Sequence, residues 1–376
     1  MAVWWTLIGV LMAPVVPGGW IAVLSIALVS AVPLALVLRG FAGRHYPSAT
    51  ERVWVMRPFW YLQVALPVLG LSALAGVVLG LPFGEPAAGG RWALAMAGST
   101  LSVIAVAGYV GSRWLVTKEL VAEHPDVPAA LDGLRIVQVS DLHVGPHTPR
   151  AFLTRVHKAV QDARADLIAI TGDQVDDHAP DVQHFTNAFG SLDAPLGVYA
   201  IAGNHDVYAG WRAVRVGMEA VGMKVLVNEA IPLAHRGASF WLAGTGDPAA
   251  LGWSRGGAAE CAPDIGCTLA DVPSGAFTVA LAHNPALWPA LAKRGVALTL
   301  SGHTHYGQFS IPRLGWSLAS PFLKHAMGSY REQASLLYIN PGTNYWGLPL
   351  RIGALPEVTV VTLRRTADSA AIRTLP

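Results

Sequence analysis

The chain of 376 residues is 53% hydrophobic and 13% charged. Ordinary soluble domains carry about 25% charged residues, so a wholly soluble or disordered chain is excluded. Two cysteines are too few for a disulfide framework, and a formal net charge of +2 is too small for a nucleic-acid scaffold.

The charge is unevenly placed. Up to Thr117 the charged side chains are Arg39, Arg44, Glu51, Arg52, Arg57, Glu85, Arg91 and Arg113, whereas the remainder carries 20 basic and 22 acidic residues. This division predicts a membrane region over 1–117 and a separate domain over 118–376. Apolar runs over 19–38, 58–81 and 92–116 each reach the roughly 20 residues that cross a bilayer as helix. The run over 2–16 is shorter, and Pro14, Pro17, Gly18 and Gly19 part it from the next. It is read as a fourth, short span rather than a cleaved signal, since no positive region precedes it.

Four arginines and one glutamate mark the loop between Arg39 and Arg57, and the positive-inside rule puts that loop in the cytoplasm. Two spans follow, so the second domain is expected on the cytosolic side of a multi-pass protein of the cell's inner (plasma) membrane. Gln63 is the most polar group inside the runs. Without an acid or base at mid-span, an anchor in the lipid bilayer is expected rather than a transporter.

After Leu134 the pattern changes to short aliphatic runs over 134–139, 167–170, 197–201, 240–243, 277–281, 297–300, 336–339 and 358–363, which read as buried strands. Helices are predicted over 149–165, with Thr148 as N-cap and Pro149 as first helical residue, and over 211–221 and 285–293. Such alternation argues an α/β layered domain.

Five runs end in chemistry. Asp141 and His143 follow the first, Asp173 and Asp176 the second, Asn204, His205 and Asp206 the third, His283 the fifth, and His303 and His305 the sixth. Ligands of open α/β sheets collect beyond strand ends, and Gly172, Gly203 and Gly302 permit the close backbone approach that this crowding demands. The donors are oxygen and nitrogen with no thiolate, which suits Mn, Fe, Zn or Co. Seven such groups fit two divalent ions sharing one carboxylate, an arrangement that recurs in phosphoester hydrolysis.

In these elements, D-x-H, GDxxD, GNH[DE], a lone histidine and GHxH in that order, the chain resembles the calcineurin-like metallophosphoesterase superfamily over roughly residues 132–365. GVYAIAGNHDVYAG at 197–210, LAHNP at 281–285 and GHTHYGQ at 302–308 resemble its bacterial membrane-anchored branch. The resemblance implies a two-sheet β-sandwich flanked by helices. It implies one ion held by Asp141, His143, Asp173 and His305, and a second by Asp173, Asn204, His283 and His303, with Asp173 as bridge. It also implies that His205 stabilises the transition state or protonates the leaving oxygen, with Asp206 orienting it and Asp176 holding its loop. Tyr306 stands where many relatives have glycine, and its ring is expected either to narrow the site mouth and touch substrate or to change backbone freedom there.

His147 and His178 are candidates to approach the site from its first two loops, Asn344 reads as a turn residue, and Cys261 and Cys267 read as reduced thiols. The expected activity is hydrolysis of a phosphodiester, pyrophosphate or phosphomonoester by metal-activated water. The spans suggest a lipid-linked substrate, and a non-catalytic membrane sensor or assembly factor is the alternative.

Overall fold

A computed structural model describes residues 2–12, 15–16, 19–41, 45–252 and 258–375. Pro14, Pro17, Gly18 and Arg44, on which the span and loop expectations drew, lie outside the described residues. The chain divides into two compact units, Met1–Gly108 and Tyr109–Pro376. The division expected at 117 falls inside the strand Val116–His124.

The first unit is helical. Ala2–Met12 and Gly19–Phe41 fall on the first two expected spans. The expected loop before Arg57 is instead largely helix. Ser48 caps Ala49–Glu51 in a capping box with Glu51, and a π-helical turn, Arg52–Met56, runs straight into Arg57–Gly80. Arg52 and Arg57 therefore sit on helix rather than in a loop. The last long helix is Pro86–Gly111, which ends short of the expected Val116. Ala49–Phe83 and Pro86–Gly111 are long and apolar enough to cross a membrane. Gly76 lies so close to the Gly89 carbonyl that a β-carbon would overlap it, the small-residue contact that lets apolar helices approach. Buried Gln63 accepts a hydrogen bond from Trp5 Nε1 at 3.0 Å.

The second unit contains two mixed sheets. In spatial order the seven-stranded sheet comprises Ala371–Thr374, Val116–His124, Glu357–Arg365, Arg135–Val139, Leu167–Ile170, Val198–Ala200 and Lys224–Val225. The six-stranded sheet runs Gly328–Glu332, Ser335–Ile339, Leu298–Ser301, Thr278–Leu281, Ala238–Gly244 and Glu229–His235. The second sheet is parallel at its centre and antiparallel at both edges, whereas the first is antiparallel at Ala371–Thr374 and again where Glu357–Arg365 meets Arg135–Val139, and parallel from there to Lys224–Val225. The eight expected strands are all present, because each is rich in aliphatic residues and largely buried on both faces. Ile136, Leu167 and Tyr199 of the first sheet meet Phe240, Val279 and Leu300 of the second in one core. The other face of the first sheet packs on Arg150–Asp162, Val182–Phe189 and Asn204–Glu219 through Val156, Phe185 and Trp211.

Two helix expectations need correction. Thr148 is not the cap of the first helix: Pro149 occupies that position, while the Thr148 hydroxyl accepts from the Gly145 N–H at 3.1 Å. The helix expected at 211–221 begins at Asn204 and is kinked at Gly210, whose φ of 119° only glycine adopts readily.

Candidate metal centre

The C-terminal ends of three neighbouring parallel strands in the first sheet and two in the second deliver the expected residues to one place. Asp141 and His143 follow Arg135–Val139, Asp173 follows Leu167–Ile170, and Asn204 opens the helix after Val198–Ala200. His283 follows Thr278–Leu281, and His303 and His305 follow Leu298–Ser301. Asp141, His143, Asp173, His303 and His305 all have positive φ, between 41° and 71°. Non-glycine residues in this region cost roughly 1–2 kcal/mol each, and such strain persists where surrounding structure enforces a functional geometry. A β-carbon at Gly203 would overlap Asp173 Oδ1, and one at Gly302 would overlap Ser140 and Asp141.

The donor atoms form two groups around Asp173. In the first, His305 Nε2 lies 3.2 Å from Asp141 Oδ1 and 3.0 Å from His143 Nε2, and His143 Nε2 is 3.6 Å from Asp173 Oδ2. In the second, His283 Nε2 lies 3.2 Å from both Asp173 Oδ2 and Asn204 Oδ1, and His303 Nδ1 is 2.8 Å from Asn204 Oδ1. Asp173 Oδ1 is engaged by the His205 N–H at 2.8 Å, so Oδ2 is the oxygen common to both groups. Atoms bound about 2.1 Å from one cation sit roughly 3 Å apart when adjacent, which these separations match. The donor set and its spacing fit two divalent ions.

Charge and burial agree with that fit. Burial alone would raise the Asp173 carboxyl, yet His283 and His205 hold it well below the usual carboxylate range. Burial pushes His143 well below the ordinary histidine value, and burial with His283 nearby lowers His303 to about 4, so both rings are neutral donors. His283 Nδ1 donates to the Thr171 carbonyl at 2.8 Å; burial opposes a charge on this ring, but Asp173 outweighs burial and pushes it well above the ordinary histidine value, so a cation at Nε2 would take the place of a proton there.

His205 belongs to the same cluster as His143 and Asp173 but is held differently. Its Nδ1 donates to the Asp176 carbonyl at 2.8 Å and to Asp177 Oδ1 at 2.9 Å. Burial opposes its charge, but Asp173 and Asp177 outweigh burial and push it up to about 10. The rings of Tyr208 and Trp346 each lie 5.6 Å from its ring.

Two expected roles are corrected. Asp206 does not orient His205: its carboxylate accepts from the backbone N–H groups of Asp173, Gln174, Val175 and Gly203 at 2.8–3.2 Å, which clamps the two loops together. Tyr306 does not narrow the mouth. Its ring is buried with Trp288, Leu337 and Ile339, and its hydroxyl donates to the Ile339 carbonyl at 2.5 Å and accepts from the Gly328 N–H at 2.9 Å. Its φ of 54° explains why glycine suits this position equally well. Asn344 is a loop lock, donating to the Leu142 carbonyl at 2.8 Å. The His147 ring lies 6.0 Å from that of Tyr345, and neither His147 nor His178 belongs to a described donor cluster.

Sequence reasoning missed Asp177, Trp346 and Arg351. The fully buried Arg351 donates from Nη1 to the Pro341 and Ala354 carbonyls at 2.7 and 2.9 Å, and from Nη2 to His305 Nδ1 at 2.6 Å and to the Asn344 carbonyl. Its signal was a single cation in the otherwise apolar stretch Trp346 to Pro356.

The calcineurin-like phosphoesterase family model matches residues 134–307. An uncharacterized metallophosphoesterase of Bacillus subtilis, YkuE, is 32% identical over 268 residues, which cover 69% of this chain and 89% of that protein. A transmembrane protein with metallophosphoesterase domain from Danio rerio is 32% identical over 282 residues, 70% of this chain. An uncharacterized metallophosphoesterase of Helicobacter pylori is 30% identical over 232 residues, 61% of this chain. The chain spans 61% of the Danio rerio protein's length and 60% of the Helicobacter pylori protein's. With the same ordered motifs gathered at one strand edge, the chain belongs to the calcineurin-like metallophosphoesterase family.

Proposed function

We propose that the chain is a membrane-anchored hydrolase that cleaves a phosphodiester, pyrophosphate or phosphomonoester with water, using two divalent cations drawn from Mn, Fe, Zn or Co. The observation that carries this reading is Asp173 Oδ2, 3.6 Å from His143 Nε2 and 3.2 Å from His283 Nε2, the shared vertex of two donor groups. Asp141, His143, Asp173 and His305 would hold one cation, and Asp173, Asn204, His283 and His303 the other. When bound, such a pair neutralises phosphoryl oxygens and makes water acidic enough to attack phosphorus near neutral pH.

The chain's own residues supply the rest. Because Nδ1 of His205 is committed to Asp176 and Asp177, Nε2 is the nitrogen that hands a proton to the leaving oxygen or stabilises its charge. Tyr208 and Trp346 flank that ring and limit its hydration. Burial pushes the Cys261 thiol up to about 12, so it is no nucleophile, and direct attack by water needs none.

The membrane reading draws on the apolar helices and on relatives from Danio rerio and Bos taurus whose names call them transmembrane proteins. In this reading the helices Ala2–Met12, Gly19–Phe41, Arg57–Gly80 and Pro86–Gly111 anchor the second unit on the cytosolic face of the inner (plasma) membrane. Arginine enrichment between Arg39 and Arg57 supports the sidedness. The substrate is then a lipid-linked phosphodiester or pyrophosphate.

Full-length protein assayed with Mn²⁺ and a chromogenic phosphodiester tests the chemistry. Turnover that disappears in His205→Ala and Asp173→Ala supports hydrolysis, and no turnover with any divalent ion supports a sensor or assembly factor instead. Faster release of phosphate from lipid extracts than from soluble nucleotides supports the substrate class, and the reverse preference removes it. Labelling of exposed Cys267 from outside intact cells would overturn the cytosolic orientation.

A further inference from the structure

The segment that leaves the metal centre is built inside out. Ser310–Ile311 pairs with Trp316–Ser317 in a two-stranded antiparallel hairpin, Ser310 opposite Ser317 and Ile311 opposite Trp316. Strand side chains alternate between faces, and the apolar ones ordinarily turn inward. Here both serines are buried and both Ile311 and Trp316 are exposed. The turn between the strands exposes Leu314 at 73%, and the turn after them exposes Leu318 at 52% and Phe322 at 81%, with Leu323 beside it. Single exposed apolar residues need no explanation, but six in fourteen consecutive positions mark an interaction surface.

The hairpin is firmly rooted in the site. Leu318 N–H donates to the Phe309 carbonyl at 2.9 Å, and Ser310 N–H donates to the Ile352 carbonyl at 2.9 Å. Gln308 exchanges hydrogen bonds at 3.0 Å with the backbone of Trp346, the residue whose ring flanks His205. Whatever covers the hairpin therefore lies beside the metal-centre rim.

Charge selects the partner. Arg313 and Lys324 are exposed among the apolar residues, and from Val272 to Pro356 the chain has one acid, Glu332. Apolar residues with tryptophan at their margin and cations alongside fit the headgroup boundary of an anionic bilayer. We propose that residues 310–324 dock the catalytic domain on an anionic lipid surface, with Leu314 and Phe322 entering the headgroup boundary. The metal-centre mouth then opens at the membrane, where a phosphoester bearing acyl chains is presented. This inference rests on the membrane-associated reading above.

The test uses the full chain with Cys267→Ser, carrying Leu314→Cys or Phe322→Cys labelled with an environment-sensitive nitrobenzoxadiazole probe. Val216→Cys, at an exposed position on the helix Asn204–Glu219, is the comparison. Each is reconstituted into phosphatidylcholine vesicles with and without phosphatidylglycerol. Docking predicts blue-shifted emission at 314 and 322, quenching by doxyl-labelled lipid, and lower access to aqueous iodide than at 216. It also predicts that phosphatidylglycerol strengthens the effect and that Arg313→Glu with Lys324→Glu weakens it. Probes at 314 and 322 that behave like the one at 216 overturn the proposal. Shielding from iodide without doxyl quenching also overturns it, in favour of a protein partner or a second copy. A chain that fails to float with vesicles removes the membrane reading itself, whereas one that floats with both probes unshielded removes only the docking.

Discussion

The two halves of the candidate metal centre share Asp173 but are backed in opposite ways. On one side His283 donates Nδ1–H to the Thr171 carbonyl, which turns Nε2 toward Asp173 Oδ2 at 3.2 Å. On the other, Arg351 donates to His305 Nδ1, so the proton of that neutral ring sits on Nε2, 3.2 Å from Asp141 Oδ1, and must leave before Nε2 can serve a cation. The side chains in front differ as well: His143 stands with His305, whereas the amide Asn204 and neutral His303 stand with His283, and Asp141 and Asp173 lie within reach of both. Two halves built from different donors should differ in affinity for their ions.

The shared oxygen gives the largest prediction. Asp173→Ala removes a ligand from both halves at once, and bound divalent ion measured by elemental analysis should fall from two per chain toward none. Turnover should drop about 10³-fold or more, since such ions contribute several kcal/mol of transition-state stabilisation. Asn204→Ala serves as the contrast: it should release one ion and keep the other. Equal loss in both variants would refute the shared-vertex geometry.

Arg351 sharpens the contrast between the halves. Arg351→Met leaves His305 Nδ1 and the Pro341, Ala354 and Asn344 carbonyls without their donor. Without the guanidinium, Nδ1 can carry the ring proton and Nε2 is released to the cage. Calorimetric titration with Mn²⁺ should show a changed affinity for one ion only. If both affinities change equally, or neither does, the guanidinium is a scaffold for the 340–354 loop and nothing more. Asp177→Asn should act less, about tenfold on turnover, through the orientation of His205 and with ion content unchanged.

How much of this was legible in the sequence follows the same physical line. The buried strands were readable because both faces are covered and their runs are mainly aliphatic. Strands such as Val116–His124, Glu229–His235 and Gly328–Glu332 were not, because each carries charged residues and two lie at a sheet edge where polar residues face water. The candidate ligands were legible because each follows a strand end at short range. The residues behind them were not: Arg351 reaches His305 across 46 positions. Asp206 was legible as part of its motif but not in its role, since its four partners are backbone groups that no composition reveals.

Tyr306 gives the smallest effect and the cleanest separation of site from support. It adjoins His305, yet its ring packs on Trp288, Leu337 and Ile339, and its hydroxyl links the Ile339 carbonyl to the Gly328 N–H. Tyr306→Phe keeps the ring and deletes only that link. The Gly328 N–H then loses its acceptor, a loss worth roughly 1–2 kcal/mol when a buried partner is removed. Chemical denaturation should show a midpoint lowered by that amount while ion content and turnover stay at the parent level. A change in KM for the phosphoester without a change in stability would return the ring to the site mouth, because only contact with substrate would produce it.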